Sequence, residues 1–419
     1  MKVPKARHRK ILVVAVNARP IVESVLVSQQ TLAGCVDYFG DYDLVSIMRG
    51  KSPLFSVIKQ EPGKFNTREL NRPLSEILMS LTEIMTEEIE FDYILFGSGI
   101  RPDDHKRLEK LGTVLGSTAS TLERVRDREF LYNVAENTRD GIKTPKIKLI
   151  TDKNSLMEEI LSENNTERII KSVHSEGGLN TVLINKNTTL DEKNDYSAIL
   201  DSHLPCYVLE YLKGLVFSVS VISTGDRARV MSYNLQLSGL KLLNSPGHFT
   251  YSGNIVPLTI EKKVLETIYR KKDFIEELTV TLGLKGTIGY DFIIDERSDI
   301  YLLEVNPRVQ GTLEPFELSS GLNMVDAVLD CFEGEILPAW KPDGFKNAAV
   351  KLVLYTPSRT VIPLLKNLFP VKDIPLPGSI TDMGHPLCTY IEKKPLSSSD
   401  EILKEAQNQV SLIYNSIKG

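Results

Sequence analysis

The sequence contains no Cys-x-x-Cys pair, no clustered histidines and no apolar run near the ~20 residues that a membrane-spanning helix needs. Its four cysteines, Cys35, Cys206, Cys331 and Cys388, lie far apart. That spacing argues against a zinc site and fits free thiols in a reducing compartment, so a cytoplasmic protein is expected and no membrane partner. A basic excess is also missing. The 50 Lys and Arg against 55 Asp and Glu leave a net charge of −5, which argues against a nucleic-acid partner. No Gly-x-x-x-x-Gly-Lys-Ser/Thr stretch occurs, which excludes a Walker-type phosphate loop. Aromatic residues make up only 7%, no sign of a large planar ligand. Internal repeats and low-complexity tracts are absent too. The basic stretch at residues 1–10 precedes an apolar run too short for a signal peptide and reads as a solvated flank.

What is present is an ordinary globular balance, 42% apolar and 25% charged over 419 residues, enough for two to four modules. The β-branched run Ile11–Val16 suits a strand buried on both faces. Pro20 can open a helix that continues to Ala33. Further strands are expected at Cys35–Phe39, Phe91–Phe96 and Thr113–Gly116, and the alternation predicts a βαβ open sheet over roughly residues 10–118. Open sheets bind ligands beyond the carboxyl ends of their strands, which singles out Asn17–Pro20 and Gly97–Arg101, although turn chemistry alone explains both segments. Beyond the sheet, one helix is expected over Thr121–Asn137, capped by Thr121, and one amphipathic helix over residues 261–282.

The most informative segment is a hairpin, Thr287–Ile294 followed by Ile300–Val305. A turn centred between Arg297 and Ser298 sets Asp291 opposite Glu304, where like charges repel. Asn306 lies two residues on and so shares the face of Glu304. Ile293 and Leu302 flank the acids. Two carboxylates and an amide oxygen in apolar surroundings suit a hard divalent cation, Mg²⁺ bridging to substrate phosphates being the usual case. Lys171, on the strand Arg168–Val173, supplies a point charge, and the adjacent Gly177 and Gly178 let backbone N–H groups approach phosphate oxygens. Tyr207–Gly214 reads as a strand running into a hinge, whose backbone can pair with an adenine edge.

The order of these pieces, a lysine strand, a Gly-Gly loop, a Glu-Tyr-Leu hinge and an acidic strand pair ending Glu-Val-Asn-Pro-Arg, resembles the ATP-grasp superfamily of carboxylate–amine ligases and biotin-carboxylase-like enzymes. The resemblance spans about residues 10–335, and Leu303–Thr312 is its most specific part. Val16-Asn-Ala-Arg-Pro-Ile-Val-Glu-Ser24 with the later Val36-Asp-Tyr-Phe-Gly-Asp41 looks more narrowly like the predicted archaeal-type ATP-grasp carboligases. The tail, with Pro375-Leu-Pro-Gly378, is similar to carboxylase-type members. The resemblance implies an α/β protein with a Rossmann-like open parallel sheet (1–118), an ATP-grasp fold of two α+β lobes (119–212 and 213–340) and a small C-terminal mixed β region with a helix (341–419).

By the same resemblance, Lys171 and Arg128 contact ATP phosphates, and Gly177 and Gly178 belong to a phosphate-covering loop. Glu210 and Leu212 hold adenine, while Asp291, Glu304 and Asn306 ligate Mg²⁺, with Mn²⁺ as an acceptable substitute. Arg308 faces the transferred phosphate. Arg128 stands where a lysine is usual, and Leu215 and Val216 replace the acid that usually holds the ribose. The implied function is a ligase that activates a carboxylate as an acyl phosphate for attack by an amine, releasing ADP and phosphate. Its partners are small molecules, and a homodimer is compatible. A bicarbonate-using carboxylase or carbamoyl-phosphate-synthase-like enzyme is the second reading, supported by the Arg308-x-Gln310 spacing. A non-catalytic ATP-binding regulatory protein is the third. For the substrate pocket the candidates are Tyr251, Gly253 and Asn254, facing Arg308, Gln310 and Thr312. His248, Lys241 and His174 lie nearby in sequence and read as structural or solvated loop residues.

Overall fold

In the computed structural model the described residues are 8–418, apart from 59, 64–72, 163–166, 175–176, 179–180, 190–191, 193–195, 197–203 and 365–369. The run Ile11–Ala15 is fully buried, as a strand covered on both faces must be. Five parallel strands form the first sheet, in the order Leu54–Ser56, Thr31–Asp37, Lys10–Ala15, Tyr93–Phe96, Thr113–Val114. Strand order reverses between Lys10–Ala15 and Tyr93–Phe96. A crevice therefore opens where both chains leave the sheet, with Val16 N–H donating to Ser98 O at 3.0 Å.

Three element boundaries differ from the sequence expectation. The first helix, Arg19–Val27, stops six residues before Ala33 because Gln29 takes a positive φ of 61°, and the next strand already starts at Thr31. The helix expected over Thr121–Asn137 is two, Ala119–Arg126 and Arg128–Asn137. Asp127 leaves the helical region (ψ 106°) and its carboxylate accepts from Glu129 N and Phe130 N, so it caps a new helix. Thr118, not Thr121, caps the first of them. The amphipathic stretch at 261–282 is likewise two helices, Lys262–Tyr269 and Lys272–Thr281.

A four-stranded antiparallel sheet follows, ordered Ile147–Ile150, Cys206–Glu210, Arg168–Ser172, Thr181–Ile184. The largest sheet has eight strands and contains the acidic hairpin Gly286–Ile294 and Ile300–Asn306 at one edge. The C-terminal strands Asn347–Tyr355 and Pro386–Pro395 continue that sheet, since Tyr251–Val256 pairs with Asn347–Tyr355. One core joins Phe217, Tyr290 and Leu352 of the sheet to Phe274 and Leu278 of one covering helix and to Ile402 and Val410 of the last helix, Ser399–Lys418. Among the described residues no helix is long and apolar enough to cross a membrane. All four cysteines are free and buried.

Arg19 connects the three parts of the chain. Its side chain is 1% exposed and meets four carboxylates: Glu314 at 2.7 Å, Asp373 at 2.6 Å, Glu23 at 2.8 Å and Asp43 at 3.7 Å. Burial opposes its charge, but Asp373 and Glu314 more than offset this and hold the guanidinium pKa well above its ordinary value. The first helix is thereby tied to the helix Leu313–Ser320 and to the segment around residue 373.

Removing one partner from a buried ionic cluster leaves uncompensated charge, which typically costs about 3–5 kcal/mol. Arg19→Met should therefore lower the thermal unfolding midpoint sharply, and an unchanged midpoint would refute the role given to this cluster. A pH effect is expected at Glu317, which accepts from Ser24 Oγ at 2.6 Å and Met324 N at 2.7 Å. Burial raises its pKa to about 7 against the opposing pull of those bonds. The folded protein thus holds this proton more tightly than the unfolded chain. The resulting stabilisation is complete below the ordinary carboxylate pKa and is lost as pH rises through about 7. Glu317→Gln keeps both acceptor contacts, so it should raise the unfolding midpoint at pH 8 more than at pH 5, read by thermal denaturation.

Candidate active site

The hairpin brings Asp291 opposite Glu304, as the sequence pattern requires, but by a different route. The turn is closed by Ser298 N donating to Asp295 O at 3.0 Å, with Ser298 at φ 65°, and the first pairs are Ile294–Ile300 and Phe292–Leu302. That register alone would shift the acids out of line. An irregularity between Asp291 and Phe292 leaves Leu303 as an extra residue and restores the Asp291–Glu304 pair. Asn306 opposes Gly289 and bridges both acids: its Nδ2 donates to Asp291 Oδ2 at 3.2 Å and to Glu304 Oε1 at 3.1 Å.

The two acids are electrostatically unequal. Burial and the facing Glu304 push the Asp291 carboxyl well above the usual range. Burial also opposes ionisation of Glu304, but Lys171 and Arg128 overcome it and hold that carboxyl well below the usual range. Both cations reach the same oxygen, Glu304 Oε2: Arg128 Nη2 at 2.8 Å and Lys171 Nζ at 3.2 Å. Burial lowers the Lys171 pKa, with Glu304 pulling the other way. Arg128 is further fixed by hydrogen bonds to Leu303 O and Tyr132 Oη, and it lies 5.8 Å from the centre of the Tyr207 ring.

A cavity of about 580 Å³ opens onto this cluster. Asp291, Glu304, Asn306, Arg308, Gly177 and Gly178 lie on its wall. Lys171 and Arg128 reach the site through Glu304 and are not on the wall. Glu210 and Leu212 are also off the wall: Glu210 ends its strand with its N–H on Lys146 O at 3.0 Å. The neighbouring hinge amide, Tyr211 N, donates to Glu167 O at 3.2 Å. Gly178 (φ 75°) lies so close to Phe249 that a Cβ there would come within 1.9 Å of its carbonyl oxygen, and Tyr251 N donates to Gly177 O at 3.0 Å. Only glycine allows this loop to close on the start of the strand Tyr251–Val256.

Of the pocket candidates, Tyr251, Asn254, Gln310 and Thr312 line the cavity, and Tyr251 Oη donates to Asn254 Oδ1. Gly253 does not; its Cα packs against Lys351 O inside the sheet. Lys241, His248 and His174 are off the wall as well. The open-sheet rule holds, because Asn17, Pro20, Gly97 and Ser98 line the same cavity at the strand-order reversal. Sequence reasoning missed Asp41, Lys351, Asp373 and Thr389, which line the same cavity. Asp41, four residues beyond the strand Thr31–Asp37, was within reach of that rule. The other three carry no local signal and arrive through strand pairing and turns of the C-terminal part.

Among the described residues no group of three or more His, Cys, Asp or Glu is disposed to hold a metal ion. The site offers two carboxylates and one amide, a set suited to a cation that takes its remaining oxygens from substrate phosphate and water. The strained charge on Asp291 fits such a cation. The amide now turns Nδ2 to the acids, and rotating it by about 180° presents Oδ1 instead.

The ATP-grasp domain family matches residues 125–312. An uncharacterized protein of Methanocaldococcus jannaschii is 24% identical over 391 residues, covering 93% of this chain and 89% of that one. The carbamoyl phosphate synthase large chain of Clostridium beijerinckii is 28% identical over 215 residues, covering 51% of this chain but only 19% of that much longer protein. Among solved structures, a biotin carboxylase of Campylobacter jejuni superposes with a TM-score of 0.67 at 14% identity, covering 95% of this chain and 90% of its own. An L-amino acid ligase of Bacillus licheniformis does so with 0.66 at 14%, covering 96% and 98%. At those identities the superpositions establish the fold. Together with the matched residues, the sheet order and the acidic hairpin, they show that the chain carries an ATP-grasp domain over residues 125–312.

Proposed function

We propose that this protein is a ligase that uses ATP and Mg²⁺ to activate a carboxylate as an acyl phosphate for attack by an amine. The observation that carries the proposal is the convergence of Asp291, Glu304, Asn306 and Arg308 on one cavity, with Lys171 and Arg128 both held on Glu304. Asp291, Glu304 and Asn306 are the residues that would hold Mg²⁺, which when bound would neutralise charge on the β- and γ-phosphates. In the first step a substrate carboxylate oxygen attacks the γ-phosphorus, the bond to the β-phosphate oxygen breaks, and ADP leaves. The amine then attacks the acyl carbon, and the carbon–oxygen bond to phosphate breaks.

Arg308 reaches the cavity with Nη1 on Val309 O at 3.1 Å, a fixed geometry for meeting the phosphoryl oxygens and the acyl phosphate. Lys171 adds positive charge beside Glu304, where phosphoryl transfer depends chiefly on positioning and electrostatics. Gly177 and Gly178 would cover the phosphates and exclude water. For the adenine contact, Glu210 and Leu212 remain the assignment implied by the family resemblance. Bicarbonate as the activated carboxylate is the second reading, favoured by the match to a carbamoyl phosphate synthase large chain.

The direct test supplies Mg-ATP with carboxylates, amines, amino acids and bicarbonate, and measures ADP with phosphate separately from AMP with pyrophosphate. ADP formation that requires both a carboxylate and an amine is expected; stimulation by bicarbonate alone would favour the second reading, and AMP formation would rule out an acyl phosphate. Arg308→Ala should cut kcat by roughly 100- to 1,000-fold while nucleotide binding, followed by calorimetry, persists. Asp291→Asn should abolish the extra thermal stabilisation that Mg²⁺ adds to ADP binding. An undiminished Mg²⁺ effect in this variant would remove Asp291 from the metal set.

A further inference from the structure

The cavity also reaches strands four or more places along the sheet from the acidic hairpin, where Lys351 and Thr389 line it together with Asp41 and Asp373. Both cations in this region already have carboxylate partners. Lys351 lies 3.6 Å from Glu314, and Arg19 is surrounded by its four acids. Asp373 gives Oδ1 to Arg19 at 2.6 Å, and although burial opposes its ionisation, Arg19 keeps its carboxyl below the usual range.

Asp41 is different. It is 7% exposed and has no ion-pair partner among the described residues. It occupies the N-cap position of the helix Tyr42–Met48 with extended backbone (φ −59°, ψ 149°), where an aspartate ordinarily turns its carboxylate onto the helix amides, yet it makes no capping bond. Gln60 Nε2 instead holds Asp41 Oδ1 at 3.1 Å, and Gln60 is itself fixed by donating to Phe39 O at 2.9 Å. Oδ2 accepts no hydrogen bond from the described residues. A buried carboxylate turned away from its own helix and onto a cavity wall is a costly arrangement unless something in the cavity compensates it.

We propose that Asp41, backed by the negative charge of Asp373, binds an ammonium group of the second substrate. The inference rests on the ligase reading and specifies the nucleophile: a substrate that carries, besides the neutral amine that attacks, a second and protonated amine turned away from Arg308. A metal ion suits this region poorly: among the described residues no group of three or more His, Cys, Asp or Glu is disposed to hold one. The open carboxylate oxygens are Asp41 Oδ2 and the buried, unpartnered Asp373 Oδ2, a pair that fits an ammonium rather than a metal's full oxygen shell. A carboxylate is disfavoured here by the same two acids and finds its counter-charge at Arg308. Burial first, then the charges of Asp373, Asp37 and Asp43, pushes the Asp41 carboxyl well above the usual range, and a bound cation would relieve this.

The test reads binding, not turnover, so that its outcome is independent of the ligase assay. The full chain, saturated with Mg-ADP, is titrated by calorimetry with 1,4-diaminobutane, L-ornithine and ethanolamine. The neutral counterparts 1,4-butanediol and ethylene glycol are run in parallel. At least one ammonium compound is expected to bind, with its neutral counterpart at least 10-fold weaker. Asp41→Asn should lose at least 10-fold in affinity for that compound while its ADP affinity changes less than 2-fold. Because burial and the neighbouring acids oppose ionisation of Asp41, the unfolding midpoint of the variant should be equal to or above that of the wild type. Equal amine affinity in the variant, equal binding of amines and alcohols, or no binding by any ammonium compound would each overturn the proposal. Absence of ADP release in the earlier assay, with ammonium binding intact and dependent on Asp41, would overturn the ligase reading alone.

Discussion

Two partly exposed carboxylates facing each other across a strand pair, on the wall of a cavity, are the constraint on which the rest of the site depends. Asp291 and Glu304 cannot both be comfortably ionised there without cations, and the fold answers asymmetrically. Glu304 receives Arg128 from a helix and Lys171 from a separate sheet, and so is held ionised. Asp291 receives the Asn306 amide and the charges of Arg308 and Lys171, which do not overcome burial and the facing Glu304, so its charge remains the unstable one. A divalent cation therefore has most to offer at Asp291, while Glu304 joins three parts of the site into one unit. An arginine at position 128 fits this role. Its planar fork reaches Glu304, Leu303 O and Tyr132 together, from two nitrogens held in one fixed plane.

The cavity exists because distant parts of the chain are fastened around it. Arg19 does this from the first helix, drawing Glu314 from the far side of the acidic hairpin and Asp373 from the C-terminal part. The C-terminal strands extend the sheet that carries the hairpin, so Lys351 and Thr389 on those strands line the same cavity as Arg308. The result is a cavity with cationic groups near the acidic hairpin and an uncompensated acid elsewhere on its wall. Such polarity suits a reaction joining an anionic carboxylate to an amine.

The local chemistry of the hairpin was legible in the sequence. Asp291, Glu304 and Asn306 are brought together at the spacing the alternation of a strand predicts. Yet the assumed symmetric turn was half a residue out, and the irregularity at Leu303 corrected it. Such compensation leaves no trace in a period-two pattern. The long helices were legible as apolar periodicity but not as pairs. Asp127 ends one helix and caps the next, and an aspartate in a helical window gives little warning of that.

The sequence by itself determined the open parallel sheet, the acidic hairpin and the residue types suited to phosphate chemistry, because burial patterns and strand spacing are local properties. Tertiary structure alone decided which charges meet. Lys171 and Arg128 lie 133 and 176 residues from Glu304 in sequence, and Arg19 lies 354 from Asp373. It also decided that Asp41 turns from its own helix toward the cavity, since only the packed positions of Gln60 and the surrounding acids fix that carboxylate. Coulomb energies depend on distance and on the surrounding dielectric, and both are set by packing rather than by position in the chain.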